Sequence, residues 1–177
     1  MDHSTHMGGL SSVAVMACSG FVLAAVLPGV VWGLRRSFLW ERVSLHPGIA
    51  LPLLLLVHAW AVLGDLVRLM PTGGPLVTEP ILIVAGVLFW IPVVADTRHH
   101  LSDAGRCLYL FLAAPLLDLP ALGVIAAGHS AEGLTMIVAM LPIGVIAAAL
   151  TWEWVNREER LAADVLAAPT AGDTHAR

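Results

Sequence analysis

Gly133-Leu-Thr-Met136-Ile-Val-Ala-Met140-Leu-Pro142-Ile-Gly-Val-Ile-Ala-Ala-Ala-Leu-Thr-Trp-Glu153-Trp-Val155 is a run of 23 residues with a single charge near its end. A bilayer core about 30 Å thick needs about 20 predominantly apolar residues from a helix that crosses it. This stretch therefore reads as a transmembrane helix. Working outward, four more stretches read the same way: Leu10 to about Leu34, Pro47 to about Met70, Pro80 to about Ala95, and Gly105 to about Gly128. Glycine, proline or charge clusters separate them, at Arg35–Pro47, Pro71–Glu79, Asp96–Arg106 and Gly128–Glu132. Prolines inside the runs are compatible with this reading, because neighbouring helices re-satisfy the carbonyls they free.

Composition agrees. Of 177 residues, 58% are apolar and 12% charged, where a soluble domain carries about 25% charge. Too little polar surface remains to cover a water-soluble globule. All nine basic residues are arginine and the net charge is -4, so no basic stripe exists to neutralise phosphates, and nucleic-acid binding is excluded as an expectation. Cys18 and Cys107 lie in apolar runs without metal-type or CxxC spacing and read as packing residues. The expected fold is all-α: an integral membrane bundle of five transmembrane helices in residues 10–155. An extracytoplasmic His/Met arm, residues 1–9, precedes it, and a cytoplasmic tail, residues 156–177, follows.

Arginine placement sets the expected orientation. Arg35, Arg36, Arg42, Arg98, Arg106, Arg157 and Arg160 all fall on one side of such a bundle, against Arg68 on the other. The positive-inside rule puts that side in the cytoplasm and the N-terminus outside. The first run lacks the positive n-region of a secretory signal.

Ionisable groups inside a span are costly and by default point to function. His58 lies midway along the second run, with Asp65 two turns further on the same face. Asp118 sits mid-span between Pro115 and Pro120. The bland alternatives are a histidine hydrogen-bonded to a neighbouring helix and an aspartate satisfying backbone near the prolines. On the outer side the sequence collects His3, His6 and Met7, then His58 and Asp65, Glu79, and His129 with Glu132. Below Glu132, Met136 and Met140 follow at i+4 and i+8, on one helix face. Imidazole and thioether donors together suit copper, with thioether favouring Cu(I); the competing reading of both methionines is ordinary packing. The arm Met1-Asp2-His3-Ser4-Thr5-His6-Met7 places a histidine third, where it joins a free α-amine and two backbone amides in a square-planar nitrogen site. A polar, unstructured arm is the alternative. No hydrolase triad, phosphate loop or HExxH is present.

Across most of the chain the sequence resembles the CtaG-type cytochrome c oxidase assembly factors. Leu45-His46-Pro47 followed by His58-Ala-Trp-Ala-Val-Leu-Gly-Asp65 is similar to the family's "HP…HLPALYD" segment, Gly86-Val-Leu-Phe-Trp-Ile-Pro-Val93 to "GLLFWWPV", and Arg106-Cys-Leu-Tyr-Leu-Phe-Leu-Ala113 to "RLLYLFLA". Glu132, Met140-Leu-Pro-Ile-Gly144 and Asn156-Arg-Glu-Glu-Arg160 resemble its closing block. The departures are specific. Family members carry about two more N-terminal helices, with His6-Met7 standing where "HMxxHML" would be. Glu79 is followed by Pro80 rather than histidine, and the "DQ" pair becomes Ala131-Glu132.

The resemblance implies a multi-pass protein of the bacterial plasma membrane, in contact with lipid and with cytochrome c oxidase subunits. It would deliver copper at the outer face without being an enzyme. The implied metal ligands are His6, Met7, His58 and Glu132, with His3, Met136 and Met140 added from the residue pattern. Two other classes stay open: an accessory subunit stably bound to a respiratory complex, and a small transporter component with Asp118 as its substrate or proton site.

Overall fold

The computed structural model describes residues 13–64 and 74–167. Among them the chain is all-helical. Helix α1 covers Val13–Gly33, α2 Phe38–Val43, α3 Pro47–Leu63, α4 Pro75–Val94, α5 Asp103–Ala126 and α6 Ser130–Ala167. Four of these, α1, α4, α5 and α6, are long and apolar enough to cross a membrane. Helix α3 is equally apolar but has 17 residues, about 26 Å at 1.5 Å per residue. The expected second span ran on to Met70; residues 65–73 lie outside those described.

Two boundaries differ from the sequence reading. Helix α4 starts at Pro75, five residues before the expected Pro80. Gly74, at φ 49°, turns the chain into it, and Pro75 takes the first-turn position where a missing N–H costs nothing. Helix α6 does not stop near Val155 but continues to Ala167, through Arg157-Glu-Glu-Arg160 and into the expected tail. Nothing in that segment breaks a helix, and a turn already formed upstream removes the nucleation cost.

Local signals explain the other ends. Ser37, His46 and Ser102 are N-caps whose side chains accept from the backbone N–H of Leu39, Gly48 and Gly105. Helix α5 closes in a Schellman turn: Gly128 at φ 95° donates to the Ile125 carbonyl and His129 donates to the Val124 carbonyl. That turn folds α6 straight back onto α5, the most extensive helix pair in the molecule. Gly133 lies at the seam, where a Cβ would come within 2.5 Å of Ile125 Cγ1 and 2.6 Å of the Ala121 carbonyl.

Helix α3 packs on α4 and α5, and α1 packs on α4 and α6. Small residues again set the closest approaches. A Cβ on Gly86 of α4 would overlap the Leu23 and Leu27 side chains of α1, and one on Gly20 would lie 2.8 Å from Ala139 Cβ of α6. The main core is an apolar cluster through α1, α3, α4, α5 and α6, with Phe89, Trp90, Leu54, Leu110, Leu117 and Ile143 fully buried, and a smaller cluster lies beside it. Phe89 stacks on Tyr109 at 5.0 Å and meets Trp90 edge-on at 5.2 Å.

The expected arginine loops do meet at one end of the bundle. Asp96 N–H donates to the Arg35 carbonyl at 3.2 Å, and the Ser44 hydroxyl lies 3.2 Å from that of Thr97 and 3.3 Å from His99 Nδ1. Asp103 forms ion pairs with Arg106 and with Arg157 of α6. Trp32, Trp40, Trp152 and Trp154 gather at this same end, Trp32 beneath the Arg35 guanidinium at 5.4 Å. Arginine with tryptophan is the composition of a membrane–water interface.

Candidate functional site

Of the residues singled out in the sequence, the structure describes His58, Asp118, Glu132, Met136 and Met140. His3, His6, Met7 and Asp65 lie outside the described residues.

His58 stands midway along α3 and is 1% exposed. Its Nε2 lies 3.2 Å from the Leu117 carbonyl of α5. A carbonyl only accepts, so Nε2 carries the hydrogen and the neutral ring keeps its lone pair on Nδ1. That Nδ1 is buried and has no hydrogen-bond partner. One ring nitrogen fixed by a backbone carbonyl, with the other left as a free lone pair, is the arrangement that orients metal-ligating histidines. The same bond is equally the plain helix-to-helix hydrogen bond of a packed polar residue.

Met136 and Met140 are buried. Met136 packs in a small cluster with Val62, Ala121 and Val124, where Val62 is one turn beyond His58 on α3. Met140 belongs to the main apolar core, its methyl group close to Gly20. Both thioethers thus sit in apolar surroundings, on the α6 face that looks into the bundle. Glu132 is in the first turn of α6, where a carboxylate complements the helix dipole. It lies 3.7 Å from His129 across one turn. His58, Met136 and Glu132 therefore share the half of the bundle opposite the arginines, on α3 and α6, without converging as a closed set. Among the described residues no three His, Cys, Asp or Glu side chains come together in a group that could hold a metal ion. The described residues offer one oriented imidazole nitrogen and two buried thioethers.

Asp118 is separated from this group in character. Leu117 faces the interior and is fully buried, while Asp118, one position round the helix, stands at the rim of the buried face. Its Oδ1 has no hydrogen-bond partner.

Two polar contacts were not anticipated as pairs. Ser19 Oγ of α1 donates to Glu79 Oε1 of α4 at 2.7 Å, which gives the Glu79 carboxylate a partner between two apolar helices. Trp90 Nε1 donates to the Leu23 carbonyl at 2.9 Å. The signal for the first was a serine within one apolar run and a carboxylate beside the start of another. The Asp103–Arg106 pair was readable from its i, i+3 spacing, but Arg157 joins it only through the fold.

Comparison with known proteins yields no matching family model, no matching curated protein and no matching solved structure.

Proposed function

We propose that this chain is a five-span protein of the bacterial plasma membrane, N-terminus outside, that serves the assembly of a respiratory haem-copper oxidase. In this reading it holds copper transiently near its outer face for transfer to the oxidase. The observation that carries it is His58: an imidazole locked by the Leu117 carbonyl with its second nitrogen buried and unpartnered. Three further features support it. The sequence resembles the CtaG-type factors in the segments around His58, Trp90 and Arg106. The arginines and four tryptophans collect at one end, which supports taking the opposite end, with Glu132, as the outer one. The five apolar helices alternate in direction between those two ends.

His58, Glu132 and the arm residues His3, His6 and Met7 are the proposed ligands, with Met136 and Met140 as soft donors behind them. The chemistry is ligand exchange only. Neutral imidazole and thioether release Cu(I) to a recipient without breaking a covalent bond.

The test is copper content and Cu(I) affinity of the full-length protein in detergent, beside His58→Ala and a deletion of residues 2–7. Stoichiometric copper, lost in either variant while helical content is unchanged, is the expected result. Background copper in the wild type overturns the proposal.

A second reading has its own observation. Met136 and Met140 fill apolar core positions as any packing residue would, and a chain built only to pack would be a stably bound accessory subunit of a respiratory complex. Co-purification with the oxidase at unit stoichiometry, without copper on this chain, selects that reading.

A further inference from the structure

The elbow between α1 and α3 carries cations that this chain leaves without carboxylates. Residues 32–43 hold Arg35, Arg36 and Arg42 against Glu41 alone, an excess of two positive charges. Among the described residues the arginines paired with a carboxylate are Arg106 and Arg157, both on Asp103, and none belongs to the elbow. Two of the elbow arginines meet aromatic rings instead. The Arg35 guanidinium lies 5.4 Å from the centre of the Trp32 ring, and that of Arg42 lies 4.7 Å from the Phe38 ring. A guanidinium over a ring is held through its face, so its N–H fork stays free to bind in its own plane.

Helix α2 gives these groups a direction. It is six residues long and contains no fully buried residue. Trp40 packs against the main core and its Nε1 donates to the Leu34 carbonyl at 2.6 Å, which ties α2 to the end of α1. Phe38 and Arg42, one turn apart, share the face turned away from that anchor, with Leu39 beside them. Phe38 is 67% and Leu39 65% exposed. The elbow joins two apolar helices at the end where the arginines and tryptophans gather, which is the level of lipid headgroups. Exposed rings with arginines among them suit a helix lying in that interface: the apolar tips enter the acyl boundary and the guanidiniums reach the phosphates.

We infer that this elbow is a docking surface for anionic phospholipid. Arg35, Arg36 and Arg42 take the headgroup phosphate, and Phe38 and Leu39 rest in the acyl boundary beside it. Charge selects the occupant. A zwitterionic headgroup brings its own cation, whereas an anionic phosphodiester brings only the negative charge that the elbow lacks, in a geometry the arginine fork matches. Asp96, whose N–H reaches the Arg35 carbonyl, does not supply that charge, because Arg98 balances it within its own loop. The inference rests on the membrane-spanning reading and not on the copper reading.

The test places the full-length protein in phosphatidylcholine vesicles and compares, by electron paramagnetic resonance, how spin-labelled phosphatidylglycerol and spin-labelled phosphatidylcholine associate with it. The wild type is expected to prefer the anionic lipid about tenfold, and the preference is expected to shrink as salt is raised. Arg35→Gln, Arg36→Gln and Arg42→Gln combined should bring the two lipids within about twofold of each other. Arg98→Gln with Arg160→Gln, at exposed positions outside the elbow, should keep the wild-type preference. Glycerol phosphate, which has the phosphate without the chains, should not displace the labelled lipid at constant ionic strength. Unchanged helical circular dichroism in both variants removes misfolding as the cause. Equal association of the two lipids with the wild type overturns the inference, as does a preference that salt leaves unmoved. So does a triple variant that keeps the preference, a Arg98/Arg160 variant that loses it, or displacement by glycerol phosphate. Failure to enter vesicles at all would overturn the membrane reading itself, whereas insertion without preference overturns this inference alone.

Discussion

The indole Nε1–H of Trp90 donates to the backbone carbonyl of Leu23 at 2.9 Å, buried between α4 and α1. The bond exists because of a proline. Within α1, Val22–Val26 form a π turn in which Leu27 N–H reaches back five residues to the Val22 carbonyl. In that register the Leu23 carbonyl would be served by residue 28, which is Pro28 and has no N–H. An orphaned carbonyl in a dry interior costs about 1–3 kcal/mol, and Trp90 removes that cost from another helix.

Trp90→Phe should therefore destabilise the protein by about 1–3 kcal/mol, since the carbonyl stays buried and loses its donor. Trp152→Phe, at an exposed position on α6, should change stability by less than about 0.5 kcal/mol. Reversible unfolding in mixed micelles, followed by circular dichroism, measures both.

Gly86 and Gly29 form a matched pair. A Cβ on Gly86 would sit 2.4 Å from Leu23 Cδ1 and 2.6 Å from Leu27 Cδ1, whereas one on Gly29 meets nothing within 4 Å. Gly86→Ala should push α1 off α4 and cost about 1–3 kcal/mol as overpacking. Gly29→Ala should be neutral or stabilising, because only the flexibility of the glycine is lost. Thermal aggregation midpoints of the two variants should fall on opposite sides of, or one well below and one at, the wild-type value.

The two ends of the bundle should differ in chemical access. A cysteine in place of Arg98, in the arginine-rich loop beside Ser44 and Arg35, should resist a membrane-impermeant maleimide in intact cells and react after permeabilisation. A cysteine in place of His129, at the α5–α6 turn, should react in intact cells. The reverse pattern would invert the proposed topology, and with it the side on which copper could be held.

Much of the fold was legible because the signals involved are one-dimensional. Runs of apolar residues of bilayer length gave the helices, and the glycine, proline and charge clusters between them, such as Gly128–Glu132, gave most of their ends. The start at Pro75 was missed because the glycines, prolines and charge of Pro71–Glu79 read as a separator, although Glu79 has Ser19 as its partner inside the bundle. The continuation of α6 past Val155 was missed because charge was taken as the end of the helix rather than the end of the membrane.

The candidate site was less legible, and for a physical reason. In a soluble helix the contrast between polar and apolar faces tells which side is buried. In these helices every face is apolar, because lipid and protein interior are alike in polarity, so the sequence places a residue at a depth but not on a side. By itself it determined that the chain carries helices long and apolar enough to cross a membrane, roughly where they run, and that His58 and Asp118 lie midway along theirs while the arginines gather at one end. Only the tertiary structure decided that His58 turns inward to the Leu117 carbonyl, that Met136 and Met140 line the core, and that the Asp118 Oδ1 is buried without a partner. Those directions follow from the closest helix approaches, at Gly20, Gly86 and Gly133, which rotate each helix about its axis and so choose the face it buries.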